Sequence, residues 1–277
     1  MASPTSPRGL IPAGLNATVV MLRHGESTWV AEGRFQGQGD PPLSSEGLRQ
    51  AELAAVRFAE PAAAPALPVP GRAPLEIRHS PLARTATTAT LVADAIRSSP
   101  GAGAGMTVIA DPRFLEIGQG EWEGRLATEI EDRWAELLAG WRRDPLTAWA
   151  PGGESLPDVD RRVRASLADS LRALASLSTG PATHGSQVLG YGTTSGAEPW
   201  SLIVGHDGVF KVALLALLDV PLTRFWLLPF ALCGISVVEI RAGRARLRAH
   251  NITEHLGPLE TARRRDLDAE RSRSGAL

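Results

Sequence analysis

One cysteine in 277 residues has nothing to pair with. That excludes an intramolecular disulfide, argues against a thiolate-built metal site and suits a reducing compartment. The residue itself, in Phe230-Ala231-Leu232-Cys233-Gly234-Ile235, reads as a small buried hydrophobe. Long apolar runs are missing too. The richest segment, residues 209–220, is shorter than the ~18 residues a spanning helix needs, and it carries Lys211 and Asp219. The net charge of -1 removes a general electrostatic case for nucleic acid or acidic membranes, so neither is expected as a partner. The first residues are rich in Ser, Pro and Gly without an apolar core, unlike a secretory signal. A cytoplasmic protein is expected. No internal repeat is visible.

What is present is a substantial apolar fraction, 43%, enough for one sizeable core. Short apolar runs at residues 18–22, 75–79, 106–109 and 201–205 read as strands, and residues 235–240 and 244–250 as an antiparallel pair. Between them lie segments of helical period. One follows Ser44 or Ser45, with Leu48, Ala51, Ala55 and Phe58 as its apolar stripe. Others carry Arg84, cover residues 128–141, run from Ser155 and Asp158 to about Leu177, and cover residues 209–218. Strands alternating with helices predict an α/β fold with a mostly parallel, helix-covered sheet. The expected organisation is a disordered tail at 1–15, a single domain at 16–257 with a flexible insertion at 178–199, and a charged, disordered tail at 258–277.

Two of the strands end in histidine: Leu22-Arg23-His24 and Val204-Gly205-His206. Strand carboxyl ends are where open α/β sheets hold ligands. A helix start adds Arg84 and a loop adds Glu116. If these converge, two guanidiniums can grip phosphoryl oxygens in paired hydrogen bonds, and a protonated His206 adds a third positive donor. A neutral His24 can then attack phosphorus, dividing one hard displacement into two easier ones. Glu116 would protonate the leaving alkoxide, with its acidity adjusted by burial or by a nearby carboxylate such as Glu121 or Glu123. Arginine and histidine supply the positive charge, and the histidines lack carboxylate companions at ligand spacing. No metal or other cofactor is therefore expected.

These residues sit in motifs that resemble the histidine phosphatase superfamily, in its phosphoglycerate mutase-like branch (branch 1). The motifs are Arg23-His24-Gly25-Glu26-Ser27, Arg34-Phe35-Gln36-Gly37, Asp40-Pro41-Pro42-Leu43-Ser44, Ser80-Pro81-Leu82-Ala83-Arg84-Thr85, Leu115-Glu116 with Gly120-Glu121-Trp122-Glu123-Gly124, Pro151-Gly152-Gly153-Glu154-Ser155, and Gly205-His206. Each is weak alone; together, in the family's order, they cover residues 18–256. The resemblance implies a three-layer α/β/α sandwich with a mostly parallel central sheet, a phosphohistidine on His24, a phosphate pocket of Arg23, Arg84 and His206, and Glu116 as proton donor. It also implies that Gln36 and Gly37 form a loop over the substrate, with Glu26 and Ser27 beside the pocket.

Two departures stand out. Val30 occupies a position where the family often has Asn, whose amide contacts the phosphoryl group; Gln36 is the candidate substitute. Asp207 follows the second histidine where a small residue is usual. Its carboxylate would repel a phosphate, so the side chain is expected to point away and offer only its backbone N–H to the substrate. Other readings are structural: His79 as a strand-end residue, His250 and His255 as framework, His184 as incidental, and Trp134, Trp141 and Trp149 as a lid or core cluster. Glu154 reads equally as a turn residue or a substrate-loop residue. The expected protein is a phosphomonoesterase for a small phosphorylated metabolite. The alternatives are a mutase, disfavoured because the nearest thing to a mutase's basic, proline-rich segment is the short Trp141-Arg142-Arg143-Asp144-Pro145, and a catalytically silent phosphate-binding protein. The oligomeric state is open, a homodimer included.

Overall fold

The computed structural model describes residues 9–99, 105–177 and 198–262. Its elements run β1 (Ala17–Arg23), α1 (Thr28–Ala31), α2 (Ser45–Ala59), β2 (Glu76–His79), α3 (Ala83–Ser98), β3 (Thr107–Ala110), α4 (Ala127–Arg143), α5 (Leu156–Leu177), β4 (Trp200–Gly205), α6 (Asp207–Leu217), β5 (Ile235–Arg241) and β6 (Arg244–Ile252). Two short 3-10 turns, Pro112–Phe114 and Gly120–Trp122, interrupt the stretch between β3 and α4, and a third spans Leu222–Leu227.

The sheet order is β3-β2-β4-β1-β5-β6. The four strands from β3 to β1 are parallel, and β5 and β6 join antiparallel at the far edge. The sheet is mixed, with its parallel part in the majority. β1 shows why the layers form. Its residues alternate between two cores: Val19 and Met21 face α5 and α6, while Val20 and Leu22 face α2 and α3. A strand buried on both faces reads as a continuous apolar run. α6 is buried from Gly208 to Leu217 and apolar on every side except at Lys211, each large apolar side chain contributing about 1.5–3 kcal/mol.

Several sequence expectations need correction. Residues 9–15 do not trail away from the domain. Leu15 is buried, Leu10 and Ile11 pack on the same core, and the Leu15 carbonyl accepts from Gly243 N–H on the β5–β6 turn. At the other end, residues 257–262 continue as helix. Residues 1–8, 263–277 and nearly all of the expected insertion, including His184, lie outside the described residues. Leu48 is exposed because α2 buries Gly47, Ala51, Ala54, Ala55 and Phe58 instead. Gly47 meets the Glu26 backbone so closely that a Cβ would lie 1.9 Å from the Glu26 carbonyl oxygen, and that contact sets the helix's rotation.

Of the three tryptophans expected to cluster, Trp134 and Trp141 pack on one small core with Trp122, Ile130, Leu138 and Ala150, and Trp149 does not. Trp141 packs among Trp122, Phe225 and Trp226. Trp134 sits where α4 kinks, against the guanidiniums of Arg125 and Arg133. Trp149 is exposed.

Between β2 and α5 lies a buried charged network. Arg78 pairs with Glu76 and Asp111 at 2.9 Å each; Asp111 also takes Arg113 at 2.8 Å and the Ser166 hydroxyl at 2.5 Å. Ser170 donates to Glu76 at 2.7 Å. Burial works against the Asp111 carboxylate, but hydrogen bonds from Arg113, Ser166 and Arg78 outweigh it and hold its pKa well below the usual range.

Candidate active site

β1 and β4 are parallel neighbours in a register that places Arg23 opposite Gly205. The next residue of each chain is a histidine, so His24 and His206 leave the sheet side by side. Their ring centroids are 5.0 Å apart, and the His24 N–H bonds the Gly205 carbonyl at 3.0 Å. Both side chains are buried. Gly25 is required immediately afterwards, because a Cβ there would lie 2.3 Å from the Gly47 carbonyl oxygen.

His24 Nδ1 lies 2.6 Å from the Gly25 carbonyl oxygen. A carbonyl only accepts, so Nδ1 carries the proton and Nε2 keeps its lone pair. Burial first, then Arg23 and Arg84, hold the His24 pKa well below its ordinary value. The ring is neutral at neutral pH, with Nε2 free to attack.

Two arginines flank the pair. Arg84, in the first turn of α3, donates from Nη1 to Gly39 O at 2.7 Å and from Nη2 to Gly37 O at 2.9 Å. Gly37 adopts φ +52, and a Cβ would collide with the Glu123 carboxylate at 2.3 Å. The glycine thus lets its loop carbonyl reach Arg84. Burial is the main influence lowering the Arg84 pKa, to about 10, so it remains a cation at neutral pH. Arg23 donates from Nη1 to Phe230 O at 2.5 Å. The buried Nε of each arginine has no partner within the protein, nor has either ring nitrogen of His206. Buried polar atoms are nearly always satisfied. Four such nitrogens in one cationic cluster describe a site shaped for an anion that brings its own acceptors.

The expectation of a protonated His206 is corrected. Burial, then Arg84, His24 and Arg23, hold its pKa well below the ordinary value. Among these cations the neutral ring is favoured, still with one N–H to donate.

Glu116 reaches the same place from the other side. Its carboxylate accepts from Gly208 N at 3.1 Å and Val209 N at 3.0 Å, in the first turn of α6, and from its own neighbour Ile117 N at 2.9 Å. These occupy three of roughly four lone-pair sites, leaving one for a proton. Glu121 is not a companion, being exposed and facing Arg133. Glu123 accepts from Gln38 N and Gln119 N.

Of the remaining sequence candidates, Ser27 caps α1 by accepting from Val30 N at 3.2 Å and donates to Gln36 Oε1 at 2.5 Å. Gln36 therefore lies beside the nucleophile loop, while Val30 offers only its backbone. The Asp207 side chain accepts from Lys211 Nζ at 2.6 Å and from Phe230 N at 3.2 Å. His79 Nδ1 bonds the Ser80 carbonyl at a strand end, and its side chain is half-buried.

Sequence reasoning missed Arg162 and Gln38. Arg162 donates to the carbonyls of Arg113, Leu115 and Glu116 and to the Glu154 carboxylate, which also accepts from Gly118 N and Gln38 Nε2. Arg162 stands in Asp160-Arg161-Arg162-Val163-Arg164, where a solvated charged face is the default reading. Only its position between the buried Val159 and Val163 hints otherwise.

Among the described residues no group of three or more His, Cys, Asp or Glu could hold a metal ion, and no helix is long and apolar enough to cross a membrane.

Paired histidines on adjacent strand ends, one buried and one partly buried guanidinium, and a carboxylate at the next helix are thus brought together. A sequence profile of the histidine phosphatase superfamily (branch 1) matches residues 19–188 and 191–253, and the chain belongs to that superfamily. It is 30% identical over 240 residues to phosphoserine phosphatase 1 of Hydrogenobacter thermophilus, covering 86% of this chain and 94% of that protein. It is 35% identical over 152 residues to a probable phosphoglycerate mutase, GpmB, of Yersinia pestis, covering 54% of this chain and 60% of that one. Among solved structures, a mycobacterial glucosyl-3-phosphoglycerate phosphatase complexed with VO3 has a TM-score of 0.65 at 28% identity, covering 84% of this chain and 98% of that one. Bacillus stearothermophilus YhfR, at 24% identity and a TM-score of 0.64, covers 87% and 99% and shares the fold.

Proposed function

We propose that this histidine phosphatase hydrolyses a small phosphorylated metabolite through a phosphohistidine on His24. One observation carries the reading: His24 Nε2 is left with its lone pair beside four unpartnered, buried nitrogens of Arg23, Arg84 and His206. The phosphoryl group lies among them, and the three that can donate, the two arginine Nε atoms and one ring nitrogen of His206, stabilise the charge that develops on its oxygens. Nε2 attacks phosphorus, the ester P–O bond breaks, and Glu116 gives its proton to the departing alkoxide. Water then attacks the phosphohistidine and passes a proton to Glu116, the P–N bond breaks, and its electron pair returns to Nε2. Ser27, Gln36 and Gly37 form the loop beside the transferred group.

The single buried cysteine, whose thiol burial pushes up to about 12, supports a cytoplasmic setting. The similarity to proteins named as probable phosphoglycerate mutases favours a second reading, in which the phosphoryl group returns to a phosphoglycerate.

A phosphate-release screen over sugar phosphates, phosphoserine, phosphoglycerates and nucleoside phosphates tests the proposal. Acid-labile phosphoenzyme should be trapped with good substrates. Inertness across the panel at several pH values would overturn it. Interconversion of 2- and 3-phosphoglycerate much faster than phosphate release would establish the mutase instead.

A further inference from the structure

Asp207 is an odd residue to find beside a phosphate pocket. It follows His206 directly and opens α6, where its negative charge suits the helix dipole but not an anionic ligand. Its two oxygens have separate tasks. Oδ2 accepts from Lys211 Nζ at 2.6 Å, one turn along the helix. Oδ1 accepts from the Phe230 N–H at 3.2 Å. The carbonyl of that same residue accepts from Arg23 Nη1 at 2.5 Å. The segment around it is anchored again by Asn251 on β6, whose Oδ1 accepts from Ala231 N at 2.6 Å. It also meets the nucleophile strand directly, through Arg23 N to Gly234 O and Cys233 N to His24 O.

We propose that Asp207 and Lys211 are a positioning pair for Arg23. Asp207 holds the backbone at Phe230, the Phe230 carbonyl aims the guanidinium, and Lys211 neutralises the carboxylate that does the holding. The inference rests on the phosphoryl-site reading above. It removes Asp207 from the substrate-binding residues and gives its side chain a task of its own.

Lys211 is built for this role. Its side chain is 7% exposed, and its ammonium stands 5.0 Å from the Trp226 ring centroid and 5.4 Å from that of Phe225. An ammonium buried against aromatic faces needs a counter-charge, and Asp207 supplies it. Without Lys211, a carboxylate adjoining His206 would face an incoming phosphate unneutralised, and like charge at that range opposes binding.

The test holds net charge constant and changes only the acceptor. Asp207→Asn/Lys211→Met keeps an oxygen for the Phe230 N–H, and Asp207→Ala/Lys211→Met removes it. Neither leaves a lone buried ammonium, so both are expected to fold, with circular dichroism as the check. Inorganic phosphate binding is measured by calorimetry on the full chain. The Asn/Met variant should bind within about threefold of the parent and the Ala/Met variant about tenfold more weakly, the scale of one net hydrogen bond. Lys211→Met alone should bind more weakly than Asn/Met, because it keeps the carboxylate and loses its partner. Equal affinity in the two double variants overturns the positioning role. Tighter binding than the parent in both shows a carboxylate that faces the ligand, which also overturns it. A parent that binds phosphate without hydrolysing esters defeats the phosphatase reading and leaves this one standing; a parent that binds no phosphate defeats both.

Discussion

Two clusters of buried arginine lie in this molecule, and they are built on opposite principles. In the network between β2 and α5, Arg78 is matched by Glu76 and Asp111, and Asp111 in turn takes Arg113 and Ser166. In the histidine pocket, Arg84 is fully buried and Arg23 partly so, but both grip only backbone carbonyls, and each Nε is left without a partner. Burial of charge does not distinguish the two. What distinguishes them is whether a carboxylate touches the guanidinium: Glu116, Asp40 and Glu123 act on Arg84 only from a distance. The first cluster is closed and serves the fold. The second is incomplete in the protein alone, and that incompleteness is what an anion can use.

The largest test of this contrast is His24→Ala. It removes the nucleophile and keeps the cations, so turnover should fall by about 10⁴-fold or more and trapped phosphoenzyme should vanish, while phosphate binding survives. Substantial residual phosphoenzyme would move the nucleophile elsewhere. Next is Glu116→Gln. Alkyl phosphates, whose leaving groups need a proton, should slow by about 10²–10⁴-fold, and p-nitrophenyl phosphate far less. Equal losses on both would remove Glu116 as the donor.

The two clusters can then be set against each other. Arg84→Met should cut kcat/KM by about 10²–10³-fold with a modest change in melting temperature. Arg78→Met should do the reverse, costing about 3–5 kcal/mol of stability by leaving the buried Glu76 without its cation, with activity per folded molecule kept. If both variants changed the same observable, the distinction between a closed and an open cluster would be lost.

The smallest effect is in the pH dependence. Because the folded pKa of His24 is depressed, the acid limb of kcat/KM should lie well below 6.5 after correction for substrate ionisation. The histidines also oppose folding in acid: an unfolded chain takes up protons near pH 6.5 that the folded one refuses, so stability starts to fall as pH drops through that value. Asp111 acts lower. Its depressed pKa adds stability above the unfolded value of about 3.9, and that stability is lost as pH falls through the folded value. Acid titration of activity and of denaturation midpoint should therefore separate the two clusters.

The readable part of this chain was that which local pattern controls. Arg23, His24 and His206 stand at the ends of apolar runs, and a buried strand announces itself by continuous Val, Met, Leu and Ile. The turn at Arg84 and the loop at Glu116 are short motifs whose spacing is set by local backbone. What could not be read depends on tertiary meetings. Leu15 looks like part of a Pro- and Gly-rich tail until the β5–β6 turn captures it through Gly243 and Asn16. Arg162 looks like one of several helix-surface arginines until Leu115 and Glu116 present carbonyls to it. Asp207 was expected to turn from a phosphate, and its hydrogen bond to Phe230, a residue well along the chain, carries no local signature. His206 was expected as a cation because its type allows it, and its neighbours decide otherwise.

The sheet order has a consequence for how the protein comes into being. β1, the strand that carries the nucleophile, bonds only β4 and β5, and both lie beyond residue 199. At ribosomal rates of about 5–20 residues per second, roughly 10–35 s pass before its first partner is synthesised. During that interval one of the most apolar segments of the chain has no neighbour in the sheet, and the two histidines cannot meet. The active site is thus assembled by the closing step of folding, through a contact of very high sequence separation, which is the slow kind. A nascent chain halted before β4 would carry an exposed sticky strand and no pocket, the form a chaperone would be expected to hold.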